Sequence, residues 1–307
     1  MRKNQNDNAA HLLSAVVYCI SLPFIYSLSA LPFKVLYLFS DFFYVLMFHF
    51  IGYRKTVVLQ NLKKSFPEKT NQQINKICKH FYHNLCDFIL EITKAITMSK
   101  KSLQQRCRFD PETGALLSRL ADANKSVILV MGHIGNWEWA CNAFNLSVKH
   151  QLYVIYHPVT NKYFDRLMYR IRTRNETKLI AMQNTYREMA LHKNELNVTV
   201  FVADQTPRPD NAYWTTFLNQ DSPVFKGMEV IAKKMNLPVL YASVNKVKRG
   251  FYEMHCEVLA EVPAKTSEGE LSEMYIRRLE KDIVAQPENW LWSHRRWKHK
   301  RSRIELS

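Results

Sequence analysis

The sequence predicts an α/β domain, a mixed and largely parallel sheet flanked by helices, behind an N-terminal hydrophobic helical membrane anchor. Three observations predict it. Residues 12–53 carry only Lys34 and Asp41 as formal charges. After residue 120, short apolar runs alternate with helical segments. No repeat or low-complexity tract interrupts the chain, and 7 Gly are too few for a collagen-like or Gly-rich repeat. A chain of 307 residues, 47% hydrophobic, buries a proper core in one large or two small domains. Its 43 Lys+Arg against 27 Asp+Glu leave +16, which calls for an anionic partner: nucleic acid, an anionic membrane, or an acidic protein or substrate.

The elements follow in chain order. From Leu12 to Phe33 no residue is charged, a length close to the ~20 apolar residues that cross a bilayer. The apolar character resumes after Lys34 as VLYLFSDFFYVLMFHFIGY, too long a continuation for a cleavable signal peptide. Pro23 and Pro32 are expected to kink or end the first helix. Residues 1–53 therefore read as an anchor, either one spanning helix or a helix pair embedded from one side; a buried core hairpin is the competing reading. Arg2 and Lys3 precede the anchor and Arg54, Lys55, Lys63 and Lys64 follow it. The longer basic side places the domain over 54–307 in the cytoplasm.

A helical lead-in over 54–110 opens that domain. Val57, Leu59, Leu62 and Phe66 mark one amphipathic helix that ends at Pro67. Thr70 is an N-cap for a second, with Ile74, Ile77, Phe81, Leu85, Phe88, Ile89 and Ile92 at helical spacing. Strands are then predicted at 126–131, 152–156, 178–181, 198–203, 238–244 and 251–259. Helices are predicted from about Asn136, through YFDRLMYRIRTR, near 184–193 and around 227–236. That alternation gives a largely parallel sheet with mixed edges, whose chemistry gathers where strands end and helices begin.

The first such strand end reads VMGHIGNWEWA, an HxxxxE arrangement of His133 and Glu138. With His133 in the turn and Glu138 in the first helical turn, the carboxylate can meet the imidazole and fix its tautomer. The other ring nitrogen is then free to take a proton from a hydroxyl. Gly132 and Gly135 flank the histidine and permit the tight backbone. Cys141 falls inside the apolar run EWACNAFNL and reads as a structural thiol. His80, His83, His150 and His192 read as surface or packing residues. Six cysteines without a CxxC or zinc-finger spacing predict reduced thiols and no metal site, and no cofactor is implied.

MGHIGNWEWA resembles the HxxxxE/D block of the lipid A late acyltransferase family, within the wider glycerolipid acyltransferase superfamily. Four further blocks in family order extend the resemblance. NLKKSFPEKTNQQINKICKHFYHNL is similar to the upstream helix block, and YHPVTNKYFDRLMYRIRTR to the arginine block, with Arg172 at the matching position. VADQTP, with Asp204 and Gln205, is similar to the DQ block, and WLWSHRRWK to the C-terminal block. Two positions depart from the pattern. Glu176 stands where a glycine usually follows the arginine block, and Asn219 holds the glycine position of an FFG-like turn.

The resemblance implies an enzyme of acyltransferase-like fold at the bacterial inner membrane. It would move a fatty acyl chain from acyl carrier protein to a hydroxyl of a lipid A precursor. His133 is then the base and Glu138 the group that stabilises its imidazolium. Arg172, or backbone N–H groups near Gly135 and Asn136, would meet the oxyanion. Asp204 would orient Arg172 or the acceptor, and Arg296 is a structural or phosphate-binding residue. Acylation of another membrane lipid (a lysophospholipid, glycolipid or aminolipid) is the same-class alternative. A non-catalytic basic membrane protein that binds nucleic acid is the alternative from another class. WLWSHRRWKHKRSR interleaves aromatics with cations and fits a membrane interface as readily as nucleic acid. The apolar N-terminus decides for membrane lipid and against nucleic acid.

Overall fold

The computed structural model describes residues 2–301, with side chains from Ser14 onward; Arg303 of the basic C-terminal run lies outside the described residues. Helix α1 (Arg2–Ala30) keeps Pro23 inside it and ends ahead of Pro32. Helix α2 (Phe33–Val45) runs into a π-helical turn over Leu46–Ile51, closed by Gly52 at φ +64°. The lead-in forms α3 (Lys55–Ser65) and α4 (Asn71–Lys94). Thr70 caps α4 in a complete capping box: its hydroxyl accepts from Gln73 N, and the Gln73 side chain accepts from Thr70 N. Two further helices, α5 (Lys100–Arg106) and α6 (Pro111–Asp122), bracket the three-residue strand β1 (Cys107–Phe109).

The alternating core follows as β2 (Val127–Met131), α7 (Trp137–Phe144), β3 (Gln151–Tyr156), α8 (Lys162–Thr173), β4 (Lys178–Ala181), α9 (Thr185–Leu191) and β5 (Asn197–Val202). A separate antiparallel hairpin, β6 (Ala212–Phe217) and β7 (Gln220–Phe225), leads to α10 (Gly227–Met235). The long strands β8 (Val239–Lys248) and β9 (Phe251–Ala260) and the helix α11 (Glu270–Ala285) complete the order. The seven strands of the main sheet lie in the order β1-β9-β8-β2-β5-β3-β4. Every neighbouring pair is parallel except β8 and β9. The fold is therefore the mixed, largely parallel sheet flanked by helices that the alternation predicts.

All five residues of β2 are buried, which is why the strand reads as one apolar run rather than an alternating one. Its side chains nonetheless divide by parity. Ile128 and Val130 join the core under α3, α4, α10 and α11, whereas Val127, Leu129 and Met131 join the core under α5 to α8.

The N-terminal helices are tied to α4 by polar contacts. Lys94 Nζ donates to the carbonyls of Ser29 (2.8 Å) and Leu31 (2.7 Å). Along α2, Tyr37 Oη donates to Glu91 (2.7 Å) and Ser40 Oγ to Asp87 (2.7 Å). Arg249, in the β8–β9 turn, bridges Asp41 and Asp87. The other edge of α2 shows Val35, Leu38, Phe39, Phe42 and Val45 to the exterior. Among the described residues, the segment Phe33–Ile51 is the one helix long and apolar enough to cross a membrane.

Losing the α4 cap gives a direct measure of the lead-in's stability. Thr70→Ala is expected to lower the unfolding free energy by about 1 kcal/mol. Denaturant unfolding in detergent, followed by tryptophan fluorescence, reads it; an unchanged midpoint would show that the capping box carries no weight.

Candidate active site

Strands β2 and β5 are parallel neighbours, and Met131 is in register with Val202. Two residues further along each chain stand His133 and Asp204. The register thus brings together two side chains 71 residues apart in sequence. His133 Nδ1 lies 2.5 Å from Asp204 Oδ1, and the His133 backbone N–H donates to Asp204 Oδ2 at 2.9 Å. A third donor, the Trp290 indole N–H, reaches Oδ2 at 2.7 Å. Asp204 is 2% exposed. Burial resists its ionisation. The charge of His133 and the hydrogen bonds from His133 and Trp290 outweigh that resistance and bring the carboxyl down to about 2. An ionised carboxylate only accepts, so Nδ1 carries a proton; in the neutral tautomer that this favours, Nε2 is the acceptor nitrogen.

Glu138 does not reach the imidazole, contrary to the sequence expectation. It opens α7, and its carboxylate is held two-pronged by Arg172 of α8: Nε donates to Oε2 at 3.0 Å and Nη2 to Oε1 at 2.5 Å. A guanidinium fork matches a carboxylate better than a single imidazole N–H does, and α7 and α8 pack side by side. Asp204 in turn does not pair with Arg172; its oxygens accept from His133 and Trp290. Arg172 lines the cavity beside Glu138.

Arg296 is buried in the fold, with Nε and Nη1 lacking a hydrogen-bond partner. It is 0% exposed, donates from Nη2 to Pro223 O at 2.7 Å, and lies 5.5 Å from the Phe217 ring centroid. Burial lowers its guanidinium to about 10. It does not line the cavity and offers no surface to a phosphate. Of the backbone groups expected at an oxyanion, the Gly135 N–H is already donated to Asn289 O at 3.1 Å.

The turn itself depends on glycine. Gly135 has φ +60°, and a Cβ there would stand 2.3 Å from Val244 O; a Cβ on Gly132 would meet Leu279 Cδ1 at 2.5 Å. Asn136 caps α7 by accepting from Trp139 N (2.9 Å) and donates to the buried Glu91 (2.8 Å), which ties the turn to α4. Both departures from the family pattern keep glycine-like backbone: Glu176 takes φ +68° and Asn219 φ +60°. The turn after Arg172 therefore survives without its glycine, at a local cost of about 1–2 kcal/mol for the non-glycine residue.

A cavity of about 550 Å³ opens from His133. Its polar end holds His133, Glu138, Arg172 and Gln205, and its body is lined by Val154, Ile155, Leu179, Phe201, Met228 and Ile231. Gln205 Nε2 stands 3.4 Å from His133 Nε2, and Trp137 packs edge-on against the imidazole with ring centroids 4.9 Å apart. Cys141 also lines the cavity, but burial lifts its thiol to about 12, so it is no nucleophile.

The sequence profile described as bacterial lipid A biosynthesis acyltransferase matches residues 4–299. The chain belongs to that family. It is an acyltransferase of lipid A synthesis. The chain is 22% identical over 253 residues to the lipid A biosynthesis palmitoleoyltransferase of Escherichia coli K12, covering 81% of this chain and 80% of that one. A lipid A biosynthesis acyltransferase of Shigella flexneri matches equally. One from Haemophilus influenzae is 23% identical over 248 residues, 78% of this chain and 74% of that one.

Trp290 and Asp204 divide the work differently from Glu138, and a pH profile separates them. Removing a hydrogen bond from the ionised Asp204 leaves its charge more concentrated and favours a proton on His133. Trp290→Phe is therefore expected to move the acid limb of kcat/KM upward by about half a pH unit, because the lost bond of about 1.5 kcal/mol is present with the ring neutral or charged and only the difference between the two states counts. Glu138→Gln leaves that limb in place. A limb that follows Glu138 and ignores Trp290 would return the imidazole's partner to Glu138.

Proposed function

We propose that His133 is the general base of acyl transfer to a hydroxyl of a lipid A precursor, with an acyl carrier protein thioester as donor. The observation that carries this reading is the contact of His133 Nδ1 with the buried Asp204 carboxylate in the lining of a largely apolar cavity, which leaves Nε2 as the nitrogen to take a proton. The acceptor hydroxyl gives its proton to Nε2 as its oxygen attacks the thioester carbonyl. The C–S bond breaks as the C–O bond persists, and the proton passes from Nε2 to the departing thiolate. The atoms balance without a covalent enzyme intermediate. Asp204 stabilises the imidazolium formed on the way. Arg172, neutralised in the resting state by Glu138, supplies a cation at the mouth of the cavity where the thioester oxygen gains charge.

The apolar body of the cavity is suited to the fatty acyl chain of the donor. A palmitoleoyl chain, named for the Escherichia coli relative, is one such group. The enzyme acts at a membrane surface. Helix α2 presents its polar edge to α4 and its apolar edge outward, which supports embedding from one side rather than spanning. A spanning α2 would carry Asp41, Asp87 and Arg249 into the hydrocarbon with it. In this arrangement the domain rests on the cytoplasmic face of the bacterial inner membrane.

His133→Ala is expected to lower acyl transfer from acyl carrier protein to a lipid A precursor by about 10²- to 10⁴-fold, the range of a lost general base. Mass spectrometry of lipids from a deletion strain is expected to show a lipid A species short of one acyl chain. Full transfer by purified His133→Ala protein would overturn the mechanism; unchanged lipid A in the deletion strain would overturn the acceptor.

A further inference from the structure

The donor cavity opens from His133. A second, unassigned cleft of about 310 Å³ lies between the end of the anchor, α4 and the C-terminal segment. Its floor is apolar, from Met47, Leu85, Ile89 and Leu291, and Arg54 and His294 stand on its walls. Outside, it continues into the exposed apolar face of the anchor at Phe50, Ile51 and Tyr53, of which Phe50 is 78% exposed.

Two contacts relate the cleft lining to the neighbours of His133. His294 Nε2 accepts from the Thr206 backbone N–H at 3.4 Å and lies 3.3 Å from Thr206 Oγ1, and Thr206 lines the donor cavity. Leu85 and Leu291 also border a small hollow shared with Trp137, the residue packed on His133. Burial depresses His294 to about 4, so at neutral pH it adds no charge. Arg54 is then the formal charge of the cleft lining. It is exposed and donates Nη1 to Ser293 O at 3.0 Å, and a guanidinium has five N–H donors in all.

We infer that this cleft binds the acceptor: an acyl chain of the lipid A precursor on the apolar floor, an anionic group against Arg54, and the acceptor hydroxyl at His133 past His294 and Trp137. The inference rests on the acyltransferase reading and adds where the second substrate sits. Donor and acceptor chains then lie in separate hollows, and the acceptor hydroxyl meets Nε2 where the imidazole faces the cavity. The acceptor slides in from the bilayer without exposing its chains to water, because the floor is continuous with the face that lies in lipid.

The test uses the full chain in anionic vesicles and a lipid A precursor bearing a photoactivatable diazirine on one acyl chain. Irradiation and peptide mass spectrometry are expected to label the segments around Met47, Leu85 and Leu291, and excess unlabelled precursor is expected to suppress that labelling. Labelling confined to the donor-cavity strands at 151–156 and 197–202 would overturn the inference. So would cleft labelling that the precursor fails to compete, which marks ordinary bilayer contact. Arg54→Gln, an exposed substitution, is expected to raise the acceptor KM about tenfold, the loss of roughly 1.4 kcal/mol, with the donor KM unchanged. An unchanged acceptor KM would count against the site. His133→Ala still takes up label in the cleft, so an error about the base and an error about the cleft give different results.

Discussion

The buried carboxylate of Asp204 is the constraint on which the site depends. Isolated in a protein interior such a charge is costly, and the structure holds it with three donors: the backbone N–H of His133, its Nδ1–H and the Trp290 indole. Each donor belongs to a different piece of chain business. The backbone bond sets the β2–α7 turn, the imidazole bond sets the tautomer, and the indole bond fastens the C-terminal segment over both. That segment is held further by the bridge between Ile134 and Trp290 and by Asn61 Nδ2 donating to Trp292 O at 2.9 Å. The C-terminal block thus supports His133 and Asp204 from behind, and Arg296 is buried within that block.

Glu138 and Arg172 form the complementary half. Their pair neutralises two charges at the polar end of an otherwise apolar cavity and leaves no isolated charge there. The HxxxxE spacing is then a statement about the turn and the first helical turn. Its histidine is held by Asp204, and its glutamate by Arg172.

Much of the fold is legible in the sequence because the apolar runs of its strands mostly stand between clear helical segments. β2 to β5, β8 and β9 lie where those runs predict them, and Thr70 caps the helix it announces. The three-residue β1 carries too little pattern to be seen, and the hairpin β6–β7 and the helix α11 are not among the expected elements. At the site, the residue types are legible and the pairing is not. Glu138 is the nearest carboxylate to His133 along the chain, whereas Asp204 is nearest in space, and only the β2–β5 register decides between them. Trp290 lies 86 residues beyond Asp204 and leaves no local signal of its role. The positive excess is also clarified: Arg249, Lys94 and Arg296 are spent inside the fold on carboxylates, carbonyls and packing, while Arg54 stands exposed at the membrane-side cleft.

The central claim, that Asp204 holds the His133 ring with Nδ1 protonated and Nε2 bare, is tested most directly by ¹⁵N NMR of histidine-labelled protein. The His133 signals are assigned by difference against His133→Ala. The account predicts that the neutral ring carries its proton on Nδ1 and none on Nε2, with this preference lost in Asp204→Asn and kept in Glu138→Gln. A neutral ring protonated at Nε2, or a tautomer that Asp204→Asn leaves unchanged, would contradict it.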